Sequence, residues 1–239
     1  MTIDLKEIEK FSKLSEEWWN EEGPFKPLHK INPLRINYIK KHVLDYFNIT
    51  LDNKPFTGLK FLDVGCGGGL ISEPMHRLGA EVTGIDASEK NIKTASFHSK
   101  KLDLNINYRC IDTISLANEE QKFDCILALE VIEHVSDIKE FLESLVNLLN
   151  DNGIIIITTI NRTIKSYLLA ILGAEYILRW IPIGTHSWKK FVKPSEIINV
   201  TNNYNLKVSN MKGMSFNPIK NEWYLSDDLE VNYLITLKR

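Results

Sequence analysis

Three groups of residues in this chain of 239 have types and spacings suited to chemistry. The first is a glycine-rich turn, Asp63-Val64-Gly65-Cys66-Gly67-Gly68-Gly69-Leu70. A dinucleotide-binding turn spaces its glycines as G-x-G-x-x-G. Counted from Gly65, the sixth position here is Leu70, so that pattern fails by one residue and acid-x-G-x-G-x-G stands in its place. A pyrophosphate seated on a helix N-terminus wants no neighbouring acid. A carboxylate at Asp63 instead suits a ligand with a positive group, and glycines at Gly65 and Gly67 let the backbone approach it with no Cβ between. Asp86 follows 21 residues after Gly65, at the end of Val82-Thr83-Gly84-Ile85. An acid at that place accepts hydrogen bonds from both hydroxyls of a ribose and repels a 2′-phosphate. The combination points to a nucleoside that carries a cation, and the ammonium and sulfonium of S-adenosylmethionine meet that description. The plainer alternative, a tight turn beside an ordinary surface acid, leaves the pairing of Asp63 with Asp86 unexplained.

The second group is Leu129-Glu130-Val131-Ile132-Glu133-His134. If the chain turns helical here, Glu130, Glu133 and His134 fall at i, i+3 and i+4 on one face. Two carboxylates and an imidazole suit a divalent cation such as Mg, which would lower the pKa of a bound catechol hydroxyl. His134 alone, acting as general base, is the second reading. A third has Glu130 capping the adenosine pocket above a solvated helix start. By position, Leu129 and the residues around Asp112 would flank the adenine. The third group is the apolar stretch from Lys165 to Gly184, in which Glu175 and Arg179 are spaced as an i, i+4 pair. It reads either as a lid that also touches a membrane or as a helix packed into the core. His186, just beyond, either enters the site or lies in a surface loop.

These groups need a scaffold, and the hydrophobic periodicity supplies one. Ile8, Phe11, Leu14 and Trp18 recur at helical spacing, Gly23 to Pro27 forces a turn, and Pro33 is read as opening a second helix. From residue 60 short apolar strands alternate with helices: strands at 60–64, 81–85, 106–111, 123–129 and 154–160, and helices at 69–78, 88–101 and from 135 or 137 to 149. The β-branched run Ile154 to Ile160 suits a central strand buried on both faces. Such alternation implies a doubly wound, mostly parallel sheet with right-handed crossovers, whose ligand sits at the strand carboxyl ends. A helix is expected from Pro194, then strands at 206–212 and 231–238 as a closing edge hairpin. The whole is one domain, 1–239, with an N-terminal helical cap over 1–50 and an insertion over 165–190.

Composition removes several classes. With 44% hydrophobic and 25% charged residues the chain is not disordered, and a net charge of -2 with pI near 6.3 argues against nucleic acid as a partner. Three cysteines make no disulfide framework and fit reduced, mostly buried thiols of a cytosolic protein. Acids throughout the first ten residues are unlike a signal peptide, and no charge-free run is long enough to span a bilayer.

Leu62-Asp63-Val64-Gly65-Cys66-Gly67-Gly68-Gly69 with Asp86 resembles the class I S-adenosylmethionine-dependent methyltransferases. Trp18-Trp19, Phe25-Lys26-Pro27-Leu28-His29, Ile31-Asn32-Pro33-Leu34-Arg35, Glu130 to Val135 and Gly173-Ala174-Glu175-Tyr176-Ile177-Leu178-Arg179 narrow the likeness to the ubiquinone biosynthesis O-methyltransferase family. The resemblance covers almost the whole chain. It implies a seven-stranded, Rossmann-like methyltransferase fold and both O-methylations of a polyprenylated phenol or catechol. It implies that Arg35 binds the methionine carboxylate and that Glu130, Glu133 and His134 hold a metal. It also implies peripheral association with the inner membrane and a biosynthetic complex as partner. The alternatives are a methyltransferase of another small phenol, an NAD-dependent oxidoreductase, and a non-catalytic S-adenosylmethionine-binding module at the membrane surface.

Overall fold

The computed structural model describes residues 12, 14–177 and 187–239, and of residues 173–177 the backbone alone. Strands β1 (Lys60–Val64), β2 (Glu81–Asp86), β3 (Asn107–Cys110), β4 (Phe123–Leu129), β5 (Leu149–Ile160), β6 (Lys207–Asn217), β7 (Glu222–Ser226) and β8 (Asn232–Lys238) form one sheet in the order β3-β2-β1-β4-β5-β8-β6-β7. The first five pair in parallel and the last three antiparallel. Eight strands therefore replace the expected seven. The expected edge hairpin of the last two strands is also rearranged: β8 lies between β5 and β6, and the hairpin is β6–β7.

Helices cover both faces, as double winding requires. They are α1 (Lys26–Phe47), α2 (Ser72–Arg77), α3 (Glu89–Lys101), α4 (Thr113–Ala117), α5 (Ile138–Leu148) and α6 (Pro194–Asn202). Strand alternation divides the core in two. Leu62, Val64, Ile126, Ala128, Ile155 and Ile157 pack on one face with Phe141, Leu142 and Leu145 of α5. Phe61, Val82, Cys125, Leu127, Ile154 and Ile156 pack on the other with Ile31, Tyr38, Ile39 and Val43 of α1. Cys66 and Cys125 are buried free thiols, while Cys110 is a free thiol that is exposed.

Local chemistry sets the helix ends. Ser88 caps α3 by accepting from Asn91 N, and Asp137 caps α5 by accepting from Glu140 N. The helix read as starting at Pro33 starts at Lys26 instead, with Pro27 in its first turn and Pro33 inside. An interior proline removes one backbone hydrogen bond and costs about 3 kcal/mol. Burial of Ile31, Tyr38, Ile39 and Val43 offsets that cost. The expected N-terminal helix is reduced, among described residues, to one 3₁₀ turn at Ser15–Glu17; Ile8 and Phe11 lie outside them. The insertion begins as a single α-turn, Ile164–Ser166, and continues as a π-helix, Tyr167–Ile177; residues 178–186, with Arg179 and His186, lie outside the described set.

Candidate functional site

The parallel order reverses between β1 and β4, which are neighbours in register from Phe61–Cys125 to Val64–Ala128. Their carboxyl ends open into the crevice where a doubly wound sheet takes its ligand. The glycine turn leaves β1 there. Gly65 and Gly67 have φ of 66° and 54°, a backbone conformation that disfavours side chains. The space is closed as well: a Cβ at Gly65 would come within 2.5 Å of Val131, from the segment after β4. The two chemistry-bearing turns are thus in direct contact. Cys66 N donates to Ile85 O at 3.0 Å and ties the turn to β2.

Asp86 ends β2 beside this turn. Its carboxylate accepts from Ser88 N at 2.7 Å, Gly67 N at 3.0 Å and Asn91 Nδ2 at 3.2 Å. Burial pushes its pKa up, and the two backbone bonds and Asn91 pull it back. Asp63 points into the interior, where Ser72 Oγ donates to it at 2.6 Å. Burial raises its carboxyl to about 7, countered in part by the Ser72 bond and reinforced by Asp86. Asp63 thus places a titrating carboxyl beneath the turn.

Glu130 follows β4 with φ of 56°, so the chain does not turn helical at that point. A 3₁₀ turn covers Ile132–His134, and the shared helix face expected for Glu130, Glu133 and His134 does not form. Glu130 is instead an ion-pair partner of buried Arg35 from α1 and accepts from Thr158 Oγ1 at 2.9 Å. Glu133 is buried and accepts from Thr159 Oγ1 at 2.8 Å. Burial pushes the Glu133 carboxyl well above the usual carboxylate range, and neighbouring Glu130 adds to the shift. His134 is half-buried and does not join the two acids in a ligand set. Among the described residues no three His, Cys, Asp or Glu side chains are grouped to hold a metal ion. The expected divalent cation does not fit: Glu130 and Glu133 lie together, but no third ligand joins them among the described residues, and a guanidinium already lies against Glu130.

Arg35 is better suited to an organic anion. Its Nη1 donates to Asn32 Oδ1 at 3.4 Å, while its Nε is buried with no hydrogen-bond partner. A buried donor left unpaired is costly, and a ligand carboxylate would relieve that cost. Leu129 is half-buried at the end of β4, on the same rim. Asp112 caps α4, accepting from Ser115 N at 2.8 Å. The site therefore unites Arg35, Gly65, Gly67, Asp86, Leu129 and Glu130, with Asp63 and Glu133 beneath.

Sequence reasoning missed Thr158 and Thr159, Asn91, Ser72, and the placement of Trp18. The two threonines interrupt an unbroken isoleucine run, and their full burial requires hydrogen-bond partners. That was their available signal. Nothing local marked Asn91 or Ser72.

Residues 62–157 match the family described as Methyltransferase domain. Two relatives, each named ubiquinone biosynthesis O-methyltransferase, match the chain from end to end. One, from Pelagibacter ubique, is 53% identical over 98% of this chain and 97% of its own. The other, from Bartonella quintana, is 47% identical over 100% of this chain and 97% of its own. Among solved structures, the plantazolicin methyltransferase BpumL, in complex with a triazolic desmethylPZN analog and SAH, superposes with a TM-score of 0.65 at 20% identity, covering 98% of this chain and 97% of that one. That likeness is one of fold.

Proposed function

The chain belongs to the ubiquinone biosynthesis O-methyltransferase family, and from that premise we propose that it methylates ring hydroxyls of polyprenylated phenol and catechol intermediates, at both O-methylation steps. The observation that carries the substrate reading is the extent of the likeness. It runs through the N-terminal segment and the insertion as well as the 62–157 core.

S-adenosylmethionine, when bound, supplies a methyl group on a sulfonium. Asp86 is the acceptor for its ribose hydroxyls, and Gly65 and Gly67 admit its amino-acid end. Arg35 offers its spare Nε to the carboxylate, and Asp63 sets negative charge below the ammonium. His134, half-buried in the turn after β4, would take the proton from the acceptor hydroxyl; the oxygen lone pair would then bond to the methyl carbon while the carbon–sulfur bond breaks and its electron pair leaves on S-adenosylhomocysteine. Arg35 and Glu130 neutralise one another, which leaves the wall of the crevice without a competing net charge. Fixed orientation of the two reactants supplies much of the rate enhancement.

A polyprenyl tail resides in lipid, so the enzyme must meet a membrane surface. Among the described residues no helix is long and apolar enough to cross a membrane. The start of the insertion exposes Ile164 at 78%, Leu168 at 51% and Leu169 at 53%, with Tyr167 and Trp188 exposed nearby. This apolar edge is the contact for peripheral association with the inner membrane. Ile171, by contrast, is half-buried.

The deciding experiment is transfer of labelled methyl to a short-tailed demethylubiquinol. Turnover is expected with wild-type protein and a loss of at least tenfold in His134→Ala. Absence of wild-type turnover, with S-adenosylhomocysteine bound normally, would refute the substrate assignment while leaving the cofactor assignment standing.

A further inference from the structure

Residues 14–25, ahead of α1, pack on the glycine turn rather than on either main core. Trp18 is buried in a small cluster with Phe25 and Leu70, stacked on Phe25 with centroids 3.8 Å apart and planes 5° from parallel. Its ring lies directly over the turn. A Cβ at Gly67 would come within 2.4 Å of it, and a Cβ at Gly68 within 2.3 Å of the Trp18 side chain. Trp19 donates from Nε1 to Gly68 O at 2.9 Å and stacks on His98 of α3 at 3.5 Å. Two adjacent indoles therefore hold the outer side of the turn.

Trp18 also reaches the ribose acceptor. Its Nε1 donates to Asn91 Oδ1 at 3.0 Å, and Asn91 Nδ2 donates to Asp86 Oδ1 at 3.2 Å. Asn91 is buried, and its amide has one oxygen and one NH₂ to commit. The indole N–H fixes which end faces which partner: with the oxygen taken by Trp18, the NH₂ must face Asp86. Without the indole the amide is free to rotate, and an amide oxygen turned to Asp86 would repel the carboxylate. The other carboxylate oxygen, Oδ2, accepts from Gly67 N, the residue beneath the Trp18 ring. Trp18 thus touches two of the three donors to the Asp86 carboxylate, Asn91 and Gly67, the third being Ser88 N.

We propose that Trp18 is a positioning residue for cofactor binding, acting through Asn91 to orient Asp86 and through its ring to hold the Gly67–Gly68 turn. The proposal rests on the reading of Asp86 as the ribose acceptor. Its consequence is that the segment ahead of α1 and the nucleoside pocket are energetically coupled. Packing of that segment favours cofactor binding, and bound cofactor favours its packing.

The test uses the full chain and S-adenosylhomocysteine, with affinity from calorimetry and KM and kcat from methyl transfer. Trp18→Phe keeps a stacking ring but loses the N–H, together with the volume of the second fused ring. It is expected to raise Kd and the KM for S-adenosylmethionine about tenfold, the usual scale for one buried hydrogen bond near a charge, while kcat moves by less than about threefold. Asn91→Ala, which retains the backbone N–H that Ser88 caps, is expected to do the same. Because both act on one contact, the double variant is expected to be no worse than the poorer single one, whereas independent effects would multiply to about a hundredfold. Trp18→Phe with wild-type affinity, or multiplicative losses, would overturn the proposal. A wild-type chain that fails to bind S-adenosylhomocysteine would overturn the cofactor reading and the proposal together. A normal wild-type affinity with unaffected variants overturns the proposal alone.

Discussion

At the scale of single residues, Asp63 makes the sharpest claim. A carboxyl held at about 7 by burial is neutral in the folded chain below that pH and ionised above it. Its folded value lies above the unfolded one, so the fold is favoured most below about pH 4 and loses stability as pH rises towards 7. Asp63→Asn keeps an acceptor for Ser72 and should therefore stabilise the free chain by a few kcal/mol at most at pH 8 and by little at pH 4. Thermal melts at the two pH values check this, and an equal change at both would contradict it. A cation bound above the turn should draw the carboxyl into its ionised form. Cofactor binding near pH 7 is then expected to release protons, read as a binding enthalpy that varies with the buffer's ionisation heat. Asp86→Ala removes the acceptor on which three protein donors converge and is expected to weaken cofactor binding at least tenfold by calorimetry. Because Arg35 lies against Glu130 and no ligand trio forms among the described residues, methyl transfer is expected to survive EDTA; loss of activity restored by magnesium would contradict that.

At the scale of elements, legibility in the sequence followed locality. β4 falls at Phe123–Leu129 as expected, and the helix from Pro194 is there, because an apolar run and a first-turn proline are signals carried within a few residues. Pro33 misled for the same reason: its type signals a helix start, but its place inside α1 is decided by what the rest of that helix buries. β7 was missed because its side chains are mostly exposed and carry little period-two contrast, and α4 is only one turn long. The members of the site were visible by type, but their partnerships were not. No spacing rule announces the positive φ at Glu130 or brings Arg35 across from α1. One element-level prediction comes from Gly213, where β6 passes the backbone of Asp228. An added Cβ there would come within 1.8 Å of the Asp228 carbonyl oxygen, and backbone cannot swing aside as a side chain can. Gly213→Ala should lower Tm by several degrees, whereas an unchanged melt would mean that the β6 edge is looser than described.

At the scale of the whole molecule, the proposed function divides the work: the rim of the sheet would hold a water-soluble donor, and the apolar edge on the insertion would meet a lipid-borne acceptor. Leu168→Glu with Leu169→Glu is expected to abolish co-flotation with liposomes while a short-tailed acceptor in solution is still methylated; undiminished flotation by the folded variant would sink the membrane-contact assignment. The order of the sheet bears on how the chain comes to be made. β8 is the last strand in sequence yet sits inside the sheet, pairing with β5 on one side and β6 on the other. Synthesis proceeds from the N-terminus, so β1 to β5 leave the ribosome with the outer edge of β5 bare, and β6 and β7 emerge with nowhere to attach. Until residues 232–238 clear the exit tunnel, that edge and the β6–β7 hairpin remain open to pairing with other nascent chains. β8 is the keystone of the sheet, which makes any delay between the synthesis of β7 and that of β8 a period of heightened aggregation risk.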